Sequence, residues 1–153
     1  MRRLDKQITD ESIINEIISK SLICRIAFFD KEYPYVVPMN YGYHENSLYF
    51  HCATEGKKID LIRKNNKVGF EIVHKHELIK KKLSCGWTTE YRSILGTGKI
   101  DVLTGYNEKK MGLDIIMKQH GREENTYSES AVEKVVILKL SIKSLSAKQA
   151  GEW

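Results

Sequence analysis

Residues 47–69, SLYFHCATEGKKIDLIRKNNKVG, constrain this chain most. Leu48, Phe50 and Cys52 alternate there with Tyr49 and His51, the two-residue period of a strand whose faces meet different surroundings. Ala53-Thr54-Glu55-Gly56 then turns the chain into a short helix marked by Ile59, Leu61 and Ile62. A strand, a small-residue turn, two lysines and a helix start together suit an anion site. Free backbone N–H groups, the positive helix end and an ammonium would converge on the bound group. The same residues also suit an ordinary strand-to-helix turn with a solvated lysine pair, and local pattern leaves both readings open.

The segments on either side predict the class of fold. Thr9-Asp10-Glu11 offers an N-cap, followed by Ile13, Ile14, Ile17 and Ile18 at helical spacing. Residues 22–29 (LICRIAFF) read as a strand, and Asp30-Lys31-Glu32 as a polar turn. Residues 35–43 (YVVPMNYGY) read as a second strand, in which Pro38 demands an edge, a bulge or a kink because it has no N–H to donate. A hairpin turn at 44–47 leads into the central stretch. Residues 67–73 form a further strand, and the basic segment 74–82 (HKHELIKKK) lies at a strand end or in a loop. Residues 83–102 read as one long or bulged strand, 107–120 as a helix stopped by Gly121, and 128–134 as a polar turn or helical piece. Residues 135–142 (VVILKLSI) are a strong strand, and 144–153 read as a polar tail ending in Trp153. Six or so strands with tight hairpins and interspersed helices predict a mainly β fold with helices, a six-stranded antiparallel barrel. No linker or repeat interrupts the chain, so residues 1–153 read as a single domain.

Composition narrows the function classes. The net charge of +5 permits a phosphate or nucleic-acid partner without demanding one. Basic and aromatic residues are not interleaved along one strand as a base-stacking platform requires, which disfavours nucleic acid. No apolar run reaches the roughly 18 residues that span a bilayer, and MRRLDKQITDE has no apolar core behind its basic residues. Cys24, Cys52 and Cys85 form an odd set without CxxC, indicating neither a disulfide framework nor a metal site. The expected compartment is the cytoplasm.

The order VVPMNYGY, SLYFHCATEGKKIDLIRKN, EYRSILGTGKI resembles the pyridoxamine 5′-phosphate oxidase-like flavin-binding split barrels, and within them the nitroimidazole-resistance (Nim) group. The resemblance covers nearly the whole chain and implies a homodimer of split β-barrels. It implies two FMN sites at the interface, each using groups from both subunits. Thr54 with Lys57 or Lys58 matches the phosphate-binding turn, and Arg92 and Ser93 match positions that reach the phosphate or the ribityl chain. Val37, Pro38, Met39 and Asn40 lie on the strand expected to run along the flavin edge, and His51 and Ala53 would sit near the ring or ribityl chain. His51 is then the candidate catalytic residue, as a proton donor or a group that orients substrate. Trp153 would stack at the partner's flavin edge or cover an apolar patch.

The activity this implies is transfer of electrons from a reduced nicotinamide, NAD(P)H, or another donor to a small acceptor such as a nitroaromatic. FAD or haem in place of FMN, in a sensing or storage role, is the alternative. Pyridoxamine phosphate oxidation is less favoured, because the chain shows no assignable second basic turn. Outside the resemblance, His51 reads as a strand histidine, Arg92 as a surface strand residue and Trp87 as core or interface packing.

Overall fold

The computed structural model describes residues 3–151 and 153. The strands are β1 (Gln7–Ile8), β2 (Ile23–Phe28), β3 (Tyr35–Asn40), β4 (Gly42–His44), β5 (Ser47–Ala53), β6 (Lys67–Ile79), β7 (Thr88–Leu103) and β8 (Val135–Ala150). The helices are α1 (Glu11–Lys20), α2 (Lys57–Lys64), α3 (Tyr106–Gln119) and α4 (Glu129–Glu133). All the strands share one antiparallel sheet in the order β3-β2-β6-β7-β8-β5-β4, with β1 added beside β8.

The two ends of that order are halves of one segment. β3 pairs with β2 and β4 pairs with β5, and only Tyr41 separates them. The sheet therefore closes on itself through a kinked strand. Counting β3 and β4 as that one strand, and β1 as an accessory pair, gives the six-stranded barrel expected from sequence. Pro38 sits in β3, which has a single strand neighbour, so its missing N–H costs no ladder bond on a second side. The kink is anchored at Tyr41, fully buried, whose hydroxyl donates to Ile18 O at 2.6 Å.

Alternation builds the interior. Cys24, Ile26 and Phe28 of β2, Leu48, Phe50 and Cys52 of β5, and Val68, Phe70 and Ile72 of β6 point inward together with Ile94, Leu138 and Leu140. Ile17 and Ile18 of α1 and Ile59, Leu61 and Ile62 of α2 join the same core. The register puts these helices at opposite ends of the barrel. α1 lies at the end marked by Tyr41 and Arg92, and α2 at the end marked by Asp30 and Tyr35. α3 covers the outer side of β4, β5 and β8, where Tyr49, Ile116 and Ile137 form a second cluster. Gly112 lets it approach: a Cβ there would lie 2.6 Å from Ile137 Cγ2, so the glycine that weakens the helix in isolation is required by packing.

Two expectations of strand length are corrected. β6 runs to Ile79 rather than ending at Val73, because a bulge at Lys75 (φ 54°) lets pairing with β7 resume at His76. Residues 144–150 are strand, not tail: the ladder with β7 skips Lys143 and continues to Ala150, burying Ala147. Trp87 is outside the core, 47% exposed, with its indole N–H donating to Lys81 O at 2.9 Å.

Candidate functional site

Side-chain alternation decides which residues of β5 face outward. Tyr49, His51 and Ala53 share the outer face, and α3 covers Tyr49 but stops short of the other two. His51 and Ala53 are accordingly exposed, one step before the turn into α2. Gly56 is the N-cap of α2 with φ +123°, a conformation that a side-chain-bearing residue rarely adopts. No side chain caps this helix start, whereas Asp10 caps α1 and Ser128 caps α4. The N–H groups of Ile59 and Asp60 donate to Gly56 O, and those of Lys57 and Lys58, which have no carbonyl a turn earlier to meet, are open to an anion beside exposed Thr54.

The two lysines of this turn part company. Lys57 Nζ lies 2.7 Å from Asp30 Oδ2 and 4.6 Å from the centroid of the Tyr35 ring. The hydrogen bond from Lys57 holds the Asp30 carboxyl below the usual carboxylate range, against a smaller opposing effect of burial. Lys58 makes no ion pair among the described residues. Burial pushes the Cys52 thiol up, and the nearby Lys58 charge opposes that rise, which leaves the thiol protonated and unsuited to nucleophilic chemistry.

β3 runs from Tyr35, beside Lys57, toward the α1 end. Val36, Pro38 and Asn40 face outward and are exposed, while Val37 and Met39 pack against the core. Across the sheet Asn40 faces Ile23, and the outward row from Pro38 continues through Arg25 and Glu71 to Leu95. Ile23, Val36 and Leu95 are each about half exposed on this face, at 48%, 54% and 52%.

Arg92 and Trp153 lie elsewhere. The Arg92 guanidinium donates to Glu16 Oε2 at 3.1 Å and to Gln149 Oε1 at 3.3 Å, and lies 4.6 Å from the centre of the Trp153 ring. Lys75 Nζ approaches the same ring at 4.8 Å. Glu16, Lys75, His76, Arg92 and Trp153 line a cavity of about 870 Å³ at the α1 end. Beside it, burial lowers the His74 pKa, and the Glu16 charge opposes that effect. One protomer thus brings His51, Ala53, Thr54, Lys57 and Lys58 together near the start of β3, and carries Arg92, Ser93 and Trp153 at the opposite end. Asp30, Tyr35 and Glu16 went unnoticed in the sequence. Asp30 read only as part of a polar turn, and nothing local announces that it faces Lys57.

The donor set fits a flavin phosphate at the turn: an uncapped helix start, the Thr54 hydroxyl and an unpaired ammonium are the groups that bind a dianion. The exposed edge strand β3 offers an extended backbone for a planar ring. Among the described residues, no group of three His, Cys, Asp or Glu is placed to hold a metal ion, and no helix is long and apolar enough to cross a membrane.

The family model described as pyridoxamine 5′-phosphate oxidase matches residues 10–149. The chain belongs to this family. It is similar, at 33% identity and a TM-score of 0.83, to the crystal structure of a candidate 5-nitroimidazole antibiotic resistance protein from Bacteroides thetaiotaomicron, covering 94% of this chain and 86% of that one. The same family fold recurs in the flavocytochrome Anf3 of Azotobacter vinelandii, with 13% identity, a TM-score of 0.84, and 99% and 72% of the two chains covered. It recurs also in the FAD and heme binding protein of Mycobacterium smegmatis, with 18% identity, a TM-score of 0.84, and 97% and 75% covered. These last two show shared architecture alone. No curated protein matches the chain.

Proposed function

We propose that this protein is an FMN-dependent oxidoreductase that acts as a homodimer and reduces a small acceptor of the nitroaromatic type with electrons from NAD(P)H. The observation that carries the reading is the turn of residues 54–58, an uncapped helix start with an unpaired lysine beside an exposed edge strand, in a member of this family. FMN, when bound, supplies the electron transfer itself. The chain supplies the rest. Thr54, Lys58 and the first N–H groups of α2 hold the phosphate, and β3 from Val37 to Asn40 lies along the ring edge. His51, exposed on the outer face of β5, orients the acceptor or gives it a proton.

The homodimer is part of this proposal for a geometric reason. Arg92, Ser93 and Trp153 are at the far end of the barrel from the phosphate turn, and in this reading they serve a flavin whose phosphate is held by a second copy. The half-exposed apolar residues Ile23, Val36 and Leu95 give that second copy a face to cover.

Two measurements test the reading. The visible spectrum of the purified protein should show flavin bands and no Soret band, and NAD(P)H oxidation should accelerate with a nitroaromatic acceptor. Replacing Lys57 and Lys58 together by Ala should abolish FMN retention while the protein stays folded and dimeric. Full flavin occupancy in that double variant would refute the phosphate assignment.

A further inference from the structure

Lys57 is held in three ways: by its place at the start of α2, by the Tyr35 ring 4.6 Å away, and by Asp30 Oδ2 at 2.7 Å. The Asp30 side chain is itself sheltered, 22% exposed against 55% for Lys57, so water competes weakly on the carboxylate side. Glu55 adds a second negative charge within the turn. A dianion arriving there meets one lysine already neutralised and one, Lys58, that is not. To recruit Lys57 the phosphate would have to break its pair and leave a sheltered carboxylate without its partner, a loss that offsets much of the new contact.

We infer that Asp30 sets how tightly this turn holds a phosphorylated flavin: by retaining Lys57 it leaves the dianion to Lys58 and the helix start, so that FMN binds less tightly than two free lysines would allow. The inference rests on the flavin reading above and adds a residue that tunes it. Asp30 touches Lys57 and not the flavin, so it is a positioning residue. Its influence must appear only for ligands that carry a phosphate.

The test is a titration of flavin-free protein with FMN and with riboflavin, followed by flavin fluorescence, for the wild type, Asp30→Asn, Lys57→Met and the double variant. Releasing Lys57 should tighten FMN binding by about fivefold in Asp30→Asn, the upper range for a partly exposed ion pair. Riboflavin affinity should not change, and the gain should disappear in the Lys57→Met background. Unchanged FMN affinity in Asp30→Asn overturns the inference. So does an equal shift for riboflavin, or a gain that persists in full without Lys57. Asp30→Ser repeats the comparison if Asp30→Asn does not fold. Failure of both flavins to bind any of these proteins would instead overturn the flavin reading itself, and the inference with it.

Discussion

Burial separates the three cysteines more sharply than sequence does. Cys24 is fully buried, and desolvation pushes its thiol up to about 12; Cys52 is buried and raised for the same reason. Cys85 is exposed in the one-turn helix Ser84–Gly86 at the tip of the β6–β7 hairpin. The thiolate is the reacting form, so at about pH 8 a soluble thiol reagent should label Cys85 alone. Mass spectrometry of the folded protein should show one adduct per chain, with the other two appearing only in denaturant. Fast labelling of Cys52 in the native state would mean that the β5–α2 junction opens readily. Lys109 shows the opposite economy of burial. It is 8% exposed and donates to Val132 O and Glu133 O, so a buried ammonium is matched by the free carbonyls at the end of α4.

At the scale of elements, α3 carries the clearest prediction. It rests on β4 through Gly42, whose added Cβ would come within 2.7 Å of Ile116 Cα and closer still to the Ile115 carbonyl. The obstacle is helix backbone, which cannot rotate away as a side chain can. Gly42→Ala should therefore lower stability by about 1–3 kcal/mol, the range for overpacking, as measured by urea denaturation. A neutral result would show that α3 rides on a softer contact than the geometry indicates. β4 also ends the kinked strand that closes the barrel, so the same variant should loosen the Tyr41 anchor. The α2 start behaves differently, because its exposed turn packs little and its sequence is free to serve a ligand.

For the whole molecule, the outward face from β3 to β7 is what a second copy would cover. Leu95 lies on its β7 side, 52% exposed, in register with Glu71 and, through Arg25, with Pro38. Leu95→Lys places a charge there without touching the core. Analytical ultracentrifugation should then show a shift toward monomer, and flavin occupancy should fall in step. Loss of dimer with full flavin retention would mean that one protomer suffices for binding, contrary to the proposal for Arg92 and Trp153.

What the sequence determined by itself was whatever depends on neighbours along the chain. The alternation of Leu48, Phe50 and Cys52, the Asp10 cap, the lysine pair after Gly56 and the stop at Gly121 are local signals, and the structure contains each of them. The six-strand barrel followed from the number and spacing of such segments. Tertiary structure decided whatever depends on register. β8 reads as ending at Ile142 because 144–150 is polar, yet the bulge at Lys143 lets it pair with β7 for two further turns of alternation. The bulge at Lys75 extends β6 in the same way. The lysine pair after Gly56 was legible in the sequence, but which of the two meets a carboxylate was not. Asp30 reaches Lys57 only because β2 ends where α2 begins, and Arg92 turns to Glu16 only because α1 covers that end of the sheet. Ion pairs between residues far apart in the chain are set by the fold, and no local pattern carries their address.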